Sequence, residues 1–264
     1  MKGDLVKDYY TNNCAEDERL EKNSHKIEFI TTIKYIEKYL FKGAKILEIG
    51  AATGKYAIHL AKMGYKVVAA ELVSHNIEIM NERIKEENLK NITTIEANAL
   101  DLSMLKDNSF DIVLNLGPMY HMYTEEDKSQ VINESLRVAK EEGIVMFAYV
   151  TNFAVFWNFG CRKNRMEEIK YAIQKDFSLK DIEEEIFSVH SPEKFNELFA
   201  NKPITRLHLV ATDSIFETMG DYVNEMCDRD FEILKNFHLA TCEQKDNQFA
   251  TSHGLWIGRK TTSK

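Results

Sequence analysis

The stretch Ile46–Gly54, Ile-Leu-Glu-Ile-Gly-Ala-Ala-Thr-Gly, narrows most what this chain can fold into. A short apolar run ends on a glycine, small residues follow, and a second glycine precedes the start of a helical pattern at Lys55. Glycines at a strand end let the backbone turn sharply and let a ligand approach the main chain closely. A strand, glycine turn and helix in this order belong in a parallel sheet whose ligands bind at the carboxyl ends of the strands.

Two phosphate-binding readings fail on spacing. A dinucleotide fingerprint needs G-x-G-x-x-G, but Ala52 and Lys55 occupy its second and third glycine positions. A P-loop needs four residues between its glycines and then Lys-Ser/Thr; Gly50 and Gly54 enclose only Ala51, Ala52 and Thr53, and Tyr56 follows Lys55. The distinctive residue is Glu48, two positions before the first glycine. A carboxylate there repels a pyrophosphate and suits a ligand carrying an ammonium and a sulfonium.

The flanking sequence fits the same architecture. Strands are expected at Lys45–Gly50, Lys66–Glu71, Thr93–Ala97, Asp111–Leu116 and Ile144–Val150, nearly continuous in apolar character, as strands covered on both faces must be. Helices are expected at Lys55–Met63, stopped by Gly64; from a Ser74 cap, with Ile77, Met80 and Ile84 on one face; and at Glu125–Lys140, stopped by Gly143. Residues 1–43 read as an N-terminal helical cover (Ile27, Ile30, Ile33, Ile36), 44–150 as the ligand-binding core, and 151–204 as an inserted helical cap rich in aromatics (Phe153, Phe156, Trp157, Phe159). Residues 205–264 return to strand character at Leu207 and Leu209 and end in Gly254–Gly258. The expectation is one α/β domain.

With these residues in place the sequence resembles the class I S-adenosylmethionine-dependent methyltransferases, whose first motif is an acid followed by Gly-x-Gly-x-Gly. Glu48, Gly50, Ala51, Ala52 and Gly54 stand in that motif, with Ala52 replacing the middle glycine. The resemblance continues in order over residues 30–150. Glu71 ends Lys-Val-Val-Ala-Ala-Glu where the family's acid holds the ribose hydroxyls, and Leu72 falls where the adenine lies. Ala97-Asn98-Ala99 followed by Leu100 matches the family's Gly-Asp-Ala segment before a Leu-rich run, with Asn98 in place of the acid; its amide oxygen can accept from the adenine amino group, or it can serve as a turn residue. Asn115-Leu116-Gly117 aligns with the backbone beside the methionine moiety. Gly117–His121 and the tail His238-Leu-Ala-Thr-Cys-Glu resemble a bacterial subgroup of small-molecule type.

The resemblance implies a Rossmann-like, doubly wound, seven-stranded and mostly parallel sheet with a reversed final strand. It also implies S-adenosylmethionine as cofactor and in-line methyl transfer to an acceptor; a non-catalytic binder of the same nucleotide is the alternative. Tyr120 and His121, just past the fourth strand, are the candidates for acceptor contact, since an imidazole with an ordinary pKa of about 6.5 can take a proton from a hydroxyl or amine. Tyr10 and Arg19 are candidates to close over the cofactor, Arg19 being suited to its carboxylate. Glu48→Ala and Glu71→Ala are expected to weaken cofactor binding while leaving the fold intact.

Composition limits the partners. A net charge of −8 gives little drive for counterion release from a nucleic acid, so a small-molecule acceptor is expected. Arg162, Lys163 and Arg165 read as a solvated helix face. The four cysteines form no C-x-x-C pair, and His190, His208, His238 and His253 lack H-E-x-x-H or comparable spacing, so no metal is expected. No apolar leader and no run of roughly 18 apolar residues is present, and a cytoplasmic monomer or homodimer is expected.

Overall fold

The computed structural model describes residues 2–12, 22–176, 178–180 and 187–262. Eight strands form one sheet: β1 Lys45–Ile49, β2 Lys66–Glu71, β3 Ile92–Glu96, β4 Phe110–Asn115, β5 Ala139–Thr151, β6 Val189–His190, β7 Ile204–Ala211 and β8 His253–Lys260. Seven follow the order β3-β2-β1-β4-β5-β8-β7, and the two-residue β6 pairs with the far end of β5. β8 runs antiparallel to both of its neighbours, so the reversed final strand is present and the rest of the path is parallel in sense.

Strand parity divides the core into two layers. Ile46, Val67, Ala69, Ile112, Leu114, Ile144, Met146, Leu255 and Ile257 pack on one face with Ile33, Ile36, Ala57, Leu60 and Met80 from the helices Asn23–Glu37, Lys55–Lys62 and Ser74–Glu86. Leu47, Ile49, Val113, Val145, Phe147 and Trp256 pack on the other with Val131, Ile132 and Leu136 of the helix Glu125–Val138. Each such side chain fully buried contributes on the order of 2 kcal/mol, so a strand apolar on both faces, like β1, is fixed in register from two sides. Among the described residues no helix is long and apolar enough to cross a membrane.

The structure corrects three local expectations. Ser74 is not the cap of its helix: Val73 holds that position and Ser74 is the first helical residue, its hydroxyl donating to Glu96 at 3.0 Å. The reason lies in Glu71, whose carboxylate takes the Val73 N–H at 2.9 Å and turns the chain into the helix a residue early. Gly143 does not stop the helix, which ends at Val138; it lies within β5, beside a register shift between Phe110 and Ile112. A Cβ there would stand 2.7 Å from the Lys140 carbonyl oxygen, so the glycine serves the bulge. The segment 151–204 holds a nine-residue π-helix, Ala154–Arg162, followed by short helical pieces and β6.

Candidate active site

The carboxyl ends of β1, β2 and β4 open into one cavity, and the turn after β1 forms its floor. Gly50 (φ +73°) and Gly54 (φ +89°) use the left-handed region that glycine allows, and Ala52 adopts φ +46°. For alanine that conformation costs on the order of 1 kcal/mol. It is held by Glu71, whose Oε2 accepts the Ala52 N–H at 2.8 Å. Gly50 and Ala51 donate their N–H groups to the Ala70 carbonyl, and Gly54 donates to Ala51. The N–H groups of Gly50, Ala51, Ala52 and Gly54 are thus used inside the turn and are not offered to a phosphate.

Glu48 and Glu71 are both buried, at 2% and 6% exposure. Strand parity sends Glu48 to the face of the helix Lys55–Lys62, where the Ala57 N–H favours its charge; burial, aided by the nearby Glu71, outweighs that and pushes its pKa up to about 8. Its Oε2 has no hydrogen-bond partner within the protein. A buried carboxylate oxygen without a donor is costly unless a ligand supplies one. Glu71 is also raised by burial, against the N–H groups of Val73 and Ala52 that hold it down. Glu71 braces the turn from both oxygens, Oε2 accepting the Ala52 N–H and Oε1 the Val73 N–H.

Of the residues singled out from the sequence, Tyr10, Glu48, Gly50, Ala51, Ala52, Glu71, Leu72, Asn98, Ala99, Leu100, Leu116, Gly117, Tyr120 and His121 line this cavity. Two others stand off its wall. Asn115 shares the face of Val113 and donates to Ser135 at 3.3 Å, away from the opening, because parity places it on the side of the helix Glu125–Val138. Gly54 serves packing: a Cβ on it would lie 2.7 Å from Met80 Cγ. Arg19 lies outside the described residues. The Asn98 side-chain oxygen accepts the Leu100 N–H at 3.0 Å, a turn contact.

The segment Pro118–His121 is a single 3₁₀ turn after β4. Tyr120 donates its hydroxyl to the Leu116 carbonyl at 3.2 Å, bracing the loop. His121 is buried, with Nε2 3.1 Å from the Tyr10 hydroxyl and its ring against Phe187. Phe187 is the cap aromatic that reaches these residues, while those at 153–159 pack elsewhere: Phe153 stacks with Trp157 and meets Phe249, and Phe159 lies under the Arg165 guanidinium.

Several wall residues carried no sequence signal. Glu28, Tyr56 and Asp127 reach the cavity from three different helices. Glu28 also approaches Asp213 and His253, their ligand atoms lying within 4.8 Å of one another, a grouping hidden by sequence separations of 185 and 40 residues. Only helix phase and sheet order bring these together, so no spacing rule finds them.

Residues 46–143 match the methyltransferase domain family. The chain is 32% identical over 108 residues to the methyltransferase GfsG of Streptomyces halstedii, covering 40% of this chain and 37% of that one. It is 32% identical over 98 residues to a putative ribosomal RNA large subunit methyltransferase of Methanocaldococcus jannaschii, covering 35% of this chain and 25% of that one. The chain thus spans less than half the length of the curated relatives it first matches. Among solved structures, the PH0226 protein of Pyrococcus horikoshii superposes with a TM-score of 0.60 at 18% identity, over 97% of this chain and 99% of that one. S-adenosylmethionine-dependent methyltransferases share this fold, and S-adenosylmethionine is the cofactor such a domain takes. Residues 46–143 thus match a methyltransferase domain, and the sheet that carries them has the fold of S-adenosylmethionine-dependent methyltransferases of known structure.

Proposed function

We propose that the chain transfers a methyl group from S-adenosylmethionine to a small-molecule acceptor by in-line displacement. The observation that carries this reading is the buried Glu48 oxygen without a donor, on the wall of a cavity that offers carboxylates where a phosphate ligand would need amides. An ammonium group satisfies that oxygen and draws Glu48 into its charged form. Glu71, with two main-chain donors already in place, keeps lone pairs for ribose hydroxyls. Leu72, Ala99 and Leu100 supply an apolar wall for a base, with Asn98 beside it; Gly50 to Ala52 and Leu116 to Gly117 present main chain to the methionine part. Tyr10 closes the same space through its contact with His121.

The cofactor supplies an electrophilic methyl group on a sulfonium. The chain's share of the work is to hold the acceptor opposite the leaving sulfur and to exclude water. His121 is the acceptor-facing imidazole in this reading, available to take a proton, while Tyr120 braces its loop. A small acceptor is favoured over RNA or protein by the net charge of −8 and by a cavity whose wall carries four carboxylates, Glu28, Glu48, Glu71 and Asp127. The reading extends to a cytoplasmic protein acting as a monomer or homodimer.

The test is incubation of the protein with deuteromethyl-labelled cofactor and a metabolite extract, followed by mass spectrometry. Labelled small molecules are expected, together with S-adenosylhomocysteine. Label found only in RNA or protein would overturn the small-molecule acceptor; absence of S-adenosylhomocysteine would overturn methyl transfer.

A further inference from the structure

Another cavity, of about 530 Å³, lies at the carboxyl end of β5, under the segment that follows that strand. Its size falls within the roughly 300–1,000 Å³ of small-molecule sites. Val150 of β5 and Val189 of β6, which pair in register, border it. The π-helix Ala154–Arg162 gives one wall through Ala154, Val155 and Phe159. Another comes from Ile169 of the short helix Met166–Ile169, Ala172 of the 3₁₀ turn Lys170–Ala172, and Leu179.

These walls are held by contacts of their own. A Cβ on Gly160 would stand 2.9 Å from Met166 Cε and 3.1 Å from Ile169 Cδ1, so the glycine lets the short helix close against the π-helix. Asn158, buried in the same π-helix, donates to the Ser252 hydroxyl at 2.8 Å, and Arg162 donates to the Glu217 carbonyl at 2.8 Å. The Lys180 N–H donates to the Ala172 carbonyl at 2.8 Å and the Gln174 N–H to the Ser178 carbonyl at 2.9 Å, which folds Leu179 back beside Ile173. The π-helix is a rare element that recurs at functional sites. The charged residues of the lining are paired or lie towards solvent: Arg165 stacks on Phe159 and forks onto Glu168, Glu217 lies 3.9 Å from His25, and Lys163 and Lys180 are exposed. What the interior offers a ligand is apolar surface, so selection here rests on shape and burial and not on a charge.

Phe187 joins this space to that of the cofactor. It lines the apolar cavity, and its ring lies 5.5 Å from that of His121 and 5.8 Å from that of Tyr120, both of which line the cofactor cavity. The Ser188 N–H donates to the Tyr120 carbonyl at 2.7 Å, which fixes Phe187 beside that loop. Strand order explains the adjacency: β4 leads into the loop of Tyr120 and His121, and β5, its parallel neighbour, leads into the π-helix. An unfilled gap in the cap accounts for the volume, but not for an apolar space that shares an aromatic wall with the imidazole of the cofactor site.

We propose that this cavity holds the body of the methyl acceptor, and that the acceptor is an amphipathic small molecule. Its hydrocarbon part lies between the π-helix and Leu179, and its nucleophile reaches past Phe187 to His121. This deepens the methyl-transfer reading and rests on it. Burying the hydrocarbon part supplies affinity at a distance from the reacting atom, and that affinity serves to orient the reacting end.

The experiment uses the full chain saturated with S-adenosylhomocysteine and the series 1-butanol, 1-hexanol and 1-octanol, followed by ligand-observed NMR. Affinity is expected to rise about threefold for each methylene added, near the value of burying that group. Nuclear Overhauser contacts are expected between the carbinol protons of 1-octanol and the protons beside the sulfur of S-adenosylhomocysteine. Val155→Phe and Ala172→Phe, which put a ring into the space, should each weaken 1-octanol binding about tenfold, while S-adenosylhomocysteine affinity, measured by calorimetry, stays within about threefold of wild type. Phe237→Ser, which removes an exposed apolar side chain elsewhere, should leave the series unchanged. Affinity that does not grow with chain length, or absence of the contacts to S-adenosylhomocysteine, overturns the proposal on the wild-type chain alone. Growth that survives both fillings, or is lost in Phe237→Ser, overturns it as well. A wild-type chain that fails to bind S-adenosylhomocysteine overturns the cofactor reading instead, and the calorimetric measurement reports that separately.

Discussion

The two halves of the ligand edge are built by different means. Over β1, β2 and β4 the polar groups come mostly from the stretch between Glu48 and His121, where Glu71, Asn98 and Tyr120 are held by main chain of that same stretch. Over β5, β8 and β7 they come from Glu28, Asp213 and His253, which meet only because the sheet order places β8 beside β5. The first half is specified by turn chemistry, which ties particular residue types to particular positions. The second is specified by topology, and any residue at the same three places would be brought together equally well.

The sharpest way to break this contrast is to remove the anchoring acid on each side. Glu71→Ala leaves the Ala52 and Val73 N–H groups without these acceptors, and Asp213→Ala does the same to the Ser252 and His253 N–H groups. Each should cost about 3 kcal/mol in urea unfolding. Only Glu71→Ala should also weaken S-adenosylmethionine binding, by at least about tenfold in calorimetric titration. Equal loss of affinity in both variants would show that the two halves are one site.

A smaller effect separates the two acids of the cofactor side. Glu48 has a folded pKa of about 8, above its ordinary 4.5, so in the ligand-free protein its contribution to stability is present below the ordinary value and is lost as pH rises through 8. A cationic ligand favours the ionised form, so binding at pH 7 should release protons and affinity should climb as pH approaches 8. Titrations in buffers of different ionisation enthalpy report the release, and Glu48→Gln should abolish it. Uptake of protons would mean that the ligand does not bring its positive charge to Glu48.

The smallest expected effect lies in the packing of the helix Asp228–Thr241 against the helix Asn23–Glu37. His238, buried beside the Thr31 hydroxyl at 3.1 Å, has its pKa lowered by burial to about 4. A depressed folded pKa contributes stability above the ordinary value of 6.5, lost as pH falls towards 4. Unfolding midpoints across that window should fall more steeply for wild type than for His238→Leu. Parallel curves would remove His238 from the acid response of this packing.

Much of this was legible in the sequence where local chemistry decides the outcome. The strands, the turn at Gly50 and Gly54 and the place of Glu71 at a strand end follow from apolar runs, glycine spacing and one acid. The resemblance marks the segment Asn115-Leu116-Gly117 by its backbone, whereas strand parity decides which side chains of it face the opening, and the Asn115 side chain faces away. Gly143 reads as a helix stop because a glycine in a bulge and a glycine after a helix look alike until the partner strand is known. Glu28 and His253 carried no local signal, since a helix and a strand end remote in sequence must first be assembled.

The turn after β1 meets the loop after β4 with nothing between them. A Cβ on Gly50 would stand 2.7 Å from Pro118 Cδ, and one on Gly117 would lie 3.4 Å from the Gly50 carbonyl oxygen. In evolutionary terms these positions form a linked pair: a lineage that trades Gly50 for a larger residue must give up the proline ring at 118 in the same step, or move the loop that carries His121. Drift at either end of this contact is constrained by the other, however far the rest of the two loops diverge.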